Sequence, residues 1–88
     1  MKYAIKGKLA QVSTLRNSAS GNPRYECRIV PFDGEPINPV LLTGEALEGR
    51  TKSDSMFCYN MPSPGNWVQA TYRITGKGRV VFDDTTAL

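Results

Sequence analysis

Three segments of this 88-residue chain alternate apolar and polar residues with a period of two, and turn-forming residues bound each of them. In residues 2–12, Tyr3, Ile5, Gly7 and Leu9 fall on one face, with Lys2, Ala4, Lys6, Lys8 and Ala10 on the other. In 24–32, Tyr25, Cys27 and Ile29 oppose Arg24, Glu26 and Arg28; in 66–75, Val68, Ala70, Tyr72 and Ile74 oppose Trp67, Gln69, Thr71 and Arg73. Successive side chains of a strand point to opposite faces, so each segment predicts a strand with one face on the core and one toward water. Shorter stretches, Val40-Leu41-Leu42, 56–61 and Arg79 to Phe82, bring the total to five or six strands. Turn signals recur every ~8–12 residues, and no segment holds a long helical period. The prediction is an all-β fold: a small five-stranded antiparallel OB-like barrel with projecting hairpins, with an SH3-like barrel as its competitor. Gly7, on an inner face, predicts a bulge or bend of the kind barrel closure requires. Residues 43–55 read as a loop with one helical turn capped by Thr43 and limited by Gly44 and Gly49. The polar end, 83–88, reads as a frayed tail.

Composition narrows the class. With 40% apolar and 22% charged residues the chain is ordinary globular material, and 1–88 is expected to form a single domain. No apolar run approaches the ~18 residues of a spanning helix, so no membrane partner is expected. The start, MKYAIKGKLAQV, lacks the continuous apolar stretch of a secretory leader, and the expected location is cytoplasmic. Cys27 and Cys58 read as buried thiols rather than a disulfide. The chain has no histidine, which removes the commonest general base and imidazole metal ligand. No paired-carboxylate, phosphate-loop or nucleophile-elbow pattern replaces it, so no catalytic residue, metal or cofactor is expected, and the chain does not read as an enzyme.

The net charge of +3 is unevenly spread. Residues 1–32 carry Lys2, Lys6, Lys8, Arg16, Arg24 and Arg28 against one acid, Glu26, whereas 33–48 carry Asp33, Glu35, Glu45 and Glu48 and no base. Arg73, Lys77 and Arg79 form a second basic group. Segregated positive charge points to a polyanion. The stretch 13–28 concentrates the signal. Asn17, Ser18 and Ser20 lead into Gly21-Asn22-Pro23, a polar tip that cannot form a core and reads as a projecting hairpin. Arg16, Arg24 and Arg28 bracket the tip together with Tyr25. Cations beside a ring suit a groove that holds a phosphate backbone while a base stacks. Strict alternation instead puts Tyr25 with Cys27 and Ile29 in the core, and both readings stand. The candidate contacts are Lys6, Lys8, Arg16, Arg24, Arg28, Lys77 and Arg79 for charge, and Tyr25 and Tyr59 for stacking. Trp67 follows a Pro-Gly break and reads as a core or interface residue before an exposed platform.

Ser20-Gly21-Asn22-Pro23 followed by an aromatic, then Asn38-Pro39-Val40-Leu41, then Pro64-Gly65 before a strand ending Tyr72-Arg73-Ile74, resembles the gene V type single-stranded DNA-binding proteins of filamentous phages. The order and approximate spacing of these landmarks agree over most of the chain. The resemblance implies an OB-like barrel that pairs as a homodimer and coats single-stranded DNA cooperatively during phage-type replication, in the host cytoplasm. It implicates Arg16, the tip, Arg24 and Tyr25 as a DNA-binding wing. It assigns Thr75-Gly76-Lys77-Gly78 to dimer and neighbour contacts. The chain departs from the family in placing Arg24 between the wing proline and the aromatic, in carrying Asn38 where an aromatic can stand, and in ending its last strand with Asp83-Asp84.

Single-stranded DNA is thus the expected partner, bound without regard to sequence. Two alternatives remain open: a protein-interaction or accessory barrel, which the acidic block 33–48 favours, and an RNA-binding OB protein.

Overall fold

The structure, a computed structural model, describes residues 2–17, 19, 21, 23–52 and 62–88. The expected strand over 56–61, with Cys58 and Tyr59, lies outside the described residues, as do Ser18, Ser20 and Asn22 of the hairpin tip. The elements are β1 (Tyr3–Thr14), β2 (Tyr25–Pro31), a 3-10 turn (Pro39–Leu41), β3 (Leu42–Thr43), β4 (Ala46–Thr51), β5 (Trp67–Ile74) and β6 (Val80–Ala87). Strands β1, β2, β4, β6 and β5 close on one another in that order, and β3 hangs on β4 as an extra strand. This is a small OB-like barrel. Every closing pair is antiparallel except β4 and β6, which run parallel at Arg50↔Val81 and Thr51↔Phe82. The barrel is therefore mixed, where an antiparallel barrel is expected from the sequence; alternation reports faces and carries no information on direction. Among the described residues no helix is long and apolar enough to cross a membrane.

β1 is long because it serves two neighbours. Its first half, Tyr3 to Lys8, pairs with β5, and Gly7 to Thr14 pairs with β2. The register skips between Leu9 and Gln11, leaving Ala10 as the bulged residue. A bulge increases local twist and bends the strand, which lets β1 leave one neighbour for the other. Gly7 lies three residues earlier and has a different task from the one expected. A Cβ there would sit 2.2 Å from the Val30 carbonyl oxygen. Gly7 is thus a point of close backbone approach.

The inner faces of the strands supply the core. Ile5, Leu9, Cys27, Ile29, Leu47, Val68 and Phe82 are all fully buried, with Ala70, Tyr72 and Val80 completing the cluster. Each large aliphatic or aromatic side chain so buried contributes about 1.5–3 kcal/mol. Tyr72 stacks on Tyr3 at a centroid distance of 5.4 Å and meets Phe82 edge-on at 6.3 Å.

Three expectations are corrected. Residues 46–51 form a barrel strand, not a loop with a helical turn. Ala46, Leu47 and Glu48 favour helix in isolation, but pairing with β2, β3 and β6 decides their conformation. Val40-Leu41 belongs to a 3-10 turn rather than a strand: Pro39 opens it, and the Asn38 side-chain oxygen accepts the Val40 N–H at 3.0 Å. The end of the chain is not frayed, since β6 pairs with β5 as far as Val68↔Ala87. Its polarity has a cause. The β5–β6 register shifts between Thr71 and Tyr72, so Asp83 has no cross-strand partner. Asp83 is only 5% exposed, and Arg73 donates to both its carboxylate oxygens at 3.0 Å. The bulge allows Phe82 and Asp83, adjacent in sequence, both to be buried.

Two outcomes follow for stability. Gly7→Ala forces a side chain against backbone and is expected to destabilise the fold by about 1–3 kcal/mol in urea titration; Ala4→Ser, on the exposed face of the same strand, leaves the midpoint unchanged. Burial pushes the Tyr72 hydroxyl above its ordinary pKa, with smaller contributions from Tyr3 and Glu35. The unfolded chain then loses this proton first. Stability from the raised pKa is present below about pH 10 and is lost as pH rises through the folded-state value. Thermal melts should show Tyr72→Phe losing less stability than the parent above about pH 10.

Candidate nucleic-acid interface

Two connections flank the outer face of β4. The first, residues 15–24, joins β1 to β2 and is closed at its base by the Leu15 N–H donating to the Arg24 carbonyl at 2.9 Å. The second, 75–79, joins β5 to β6 and is closed by the Thr75 N–H on the Arg79 carbonyl at 2.8 Å. Between them lies an open groove of about 1060 Å³. Ala19 and Arg24 line it from the first connection, and Thr75, Gly78 and Arg79 from the second. Glu48, Arg50 and Lys52 come from β4 and the residue after it, and Val40 and Leu41 from the 3-10 turn. The same strand face and loop pair bind oligonucleotides in OB barrels generally.

Period two explains the floor. Ala46, Leu47 and Thr51 are buried, while Glu48 and Arg50 project outward and Lys52 continues the row. The groove holds four cations, Arg24, Arg50, Lys52 and Arg79, against two carboxylates, Glu26 and Glu48. Glu48 is engaged by an ion pair with Arg28 from β2. Arg24, Arg50 and Arg79 form no ion pair among the described residues, with Glu26 standing opposite Arg50 across the β2–β4 ladder. A positive concave surface with low-dielectric walls focuses its field on a polyanion.

The structure gathers some of the expected contact residues and separates others. Arg24 and Arg79 line the groove. Lys77 is exposed in the turn beside it, and Arg16 is exposed in the first connection without lining it. Lys6 and Lys8 project from the outer face of β1, which neighbours β2 and β5 and not β4. Two members stand in other surroundings than the groove. Arg28 spends its charge on Glu48. Tyr25 packs against the core cluster on the side of Cys27 and Ile29, and its backbone N–H donates to Thr51 Oγ1 at 3.1 Å. Alternation puts it on the core side, where it is half-buried. Trp67 is not a core residue, being 52% exposed on β5. Tyr59 lies outside the described residues.

Arg50 and Lys52 were not among the expected contacts. Their signal is the alternation of Glu48, Arg50 and Lys52 against Leu47, Gly49 and Thr51, hidden while 43–55 reads as a loop. Among the described residues no aromatic ring lines the groove. Nor do any three His, Cys, Asp or Glu side chains among them stand close enough to hold a metal ion. Comparison with protein-family models, with curated proteins and with solved structures finds no match in any of the three.

Proposed function

We propose that the protein binds single-stranded DNA without sequence preference, with the phosphate backbone running along the groove between residues 15–24 and 75–79. The observation that carries this reading is the set Arg24, Arg50 and Arg79, three guanidinium groups outside any ion pair among the described residues, on the loop-flanked face of an OB-like barrel. Each cation that meets a phosphate releases a condensed counterion, and this entropy gain is indifferent to base identity. The planar guanidinium matches phosphate oxygens in a two-pronged geometry, so arginine suits the task. Coating and protection of a replicating strand by paired copies of the chain, in the cytoplasm, completes the proposal and rests on the family resemblance.

The acidic block, which favours a protein-interaction module, is partly used within the fold. Glu48 pairs with Arg28, and Glu35 accepts the Lys6 backbone N–H at 3.0 Å. This leaves less free acidic surface than the sequence counts.

The test is the salt dependence of binding to a dye-labelled oligothymidine, followed by anisotropy. Arg50→Ala and Arg79→Ala should each weaken binding and make the slope of log K against log salt shallower by about 0.7. The charge-balanced double change Arg28→Met with Glu48→Gln should leave the slope unaltered. Duplex DNA and oligouridine serve as competitors. Absence of binding at low salt would sink the proposal, and preference for oligouridine would move it to RNA.

A further inference from the structure

The groove supplies charge but no ring among its described lining residues, and the largest exposed ring of the chain sits elsewhere. Trp67 begins β5, where its neighbours across the strands are Lys8 of β1 and, on the other side, Leu88, whose N–H donates to the Trp67 carbonyl at 2.8 Å. Directly opposed residues of an antiparallel pair share a face. Trp67 and Lys8 therefore project together from the outside of the barrel, and Lys6 follows Lys8 on the same face of β1. Phe32, just beyond β2, reaches the indole with a centroid distance of 4.8 Å and a tilt of 41°. Phe32 restrains the tryptophan while about half of the indole stays open to water. Lys6 and Lys8 are exposed and have no ion pair among the described residues. Nearby negative charge comes from Glu35, whose carboxylate faces the Lys6 backbone N–H, and from the exposed Asp33.

We infer that Trp67 and Phe32, flanked by Lys6 and Lys8, form a base-stacking platform for single-stranded DNA on the β1–β5 face, separate from the groove. An indole left half in water forgoes the stabilisation its burial would bring, and a restrained ring beside two cations is the surface that a base and its phosphates complement. Base–ring stacking is tolerant of sequence, as the proposed function requires. The inference rests on that function: a strand held by phosphate contacts in the groove continues around the barrel and lays a base on Trp67. Site sizes of about 4–16 nucleotides per OB barrel predict that a short oligomer fills the groove alone, whereas a longer one reaches both surfaces.

The chain contains a single tryptophan, so indole fluorescence reports this platform and nothing else. The full-length protein is titrated with labelled oligothymidines of about 6 and about 30 nucleotides, within and beyond the site size of one barrel. Anisotropy reads binding, and indole emission with acrylamide quenching reads the platform. The longer strand is expected to quench the indole and shield it from acrylamide, and the shorter to bind with a smaller change. Trp67→Ala should weaken binding of the longer strand by about 5- to 150-fold with an unchanged salt slope, and Trp67→Phe should recover most of that loss. Lys8→Ala should make the slope shallower by about 0.7 for the longer strand only. Circular dichroism melts of each variant verify that it folds. If DNA binds while the indole signal is unchanged and Trp67→Ala binds as the parent does, the platform is overturned and the groove stands. If acrylamide protection instead rises with protein concentration in the absence of DNA, the face joins two copies and the inference is likewise overturned. If no strand binds, platform and groove fall together.

Discussion

Barrel closure depends on one short parallel contact. Among the described residues β4 and β6 pair over Arg50↔Val81 and Thr51↔Phe82, and Gly49 permits them to do so. A Cβ at position 49 would lie 2.7 Å from the Val80 carbonyl oxygen and 2.8 Å from its Cγ1. With the strands this close, Phe82 enters the centre of the core and the Lys52 N–H donates to the Phe82 carbonyl at 2.8 Å. That closure places the groove. It sets β4 between β2 and β6, and so brings the connections before those two strands to either side of the same outer face. The groove follows from topology before any charged residue is considered.

How much of this was legible depends on how each strand is stabilised. β1, β2 and β5 each keep one face on the core and one in water, so their alternation is clean and their positions could be read directly. β4 carries Ala46, Leu47 and Glu48 with Gly49, a composition that in isolation favours helix or loop, and its conformation comes from partners distant in sequence. β6 defeats a pattern reading for a different reason. The bulge at Asp83 breaks the alternation, and the carboxylate is buried because Arg73, ten positions away, holds both its oxygens. Removing both carboxylate and guanidinium from a sequence pattern leaves no trace that they belong together.

The same division explains the candidate site. Arg24 and Arg79 were visible because they adjoin turn signals, which mark loops at barrel ends. Arg50 and Lys52 were hidden inside the misread strand. Arg28 looked equivalent to Arg24 in sequence, and only the β2–β4 register, with Arg28 opposite Glu48, distinguishes a neutralised cation from one that faces the groove. Tyr25 shows that a one-residue displacement matters more than residue type. Placed after Arg24 instead of before it, the ring turns inward with Cys27 and Ile29.

Among the described residues the groove on β4 carries cations without a ring, whereas the β1–β5 face carries Trp67 beside Lys6 and Lys8. The outer face of β4 lies between two loops, and its outward row is Glu48 and Arg50, continued by Lys52, with no aromatic ring among the described groove-lining residues. On the outer face of β1 and β5 the indole of Trp67 stands half exposed, packed against Phe32. In the proposed binding mode, a polyanion bound first through diffuse charge in the groove would pay little additional translational entropy to bring a base onto the ring, since the second contact would be intramolecular. Stacking at Trp67 would thus add to binding as an increment in residence time, while the proposed phosphate contacts in the groove would set the salt-dependent rate and strength of first attachment.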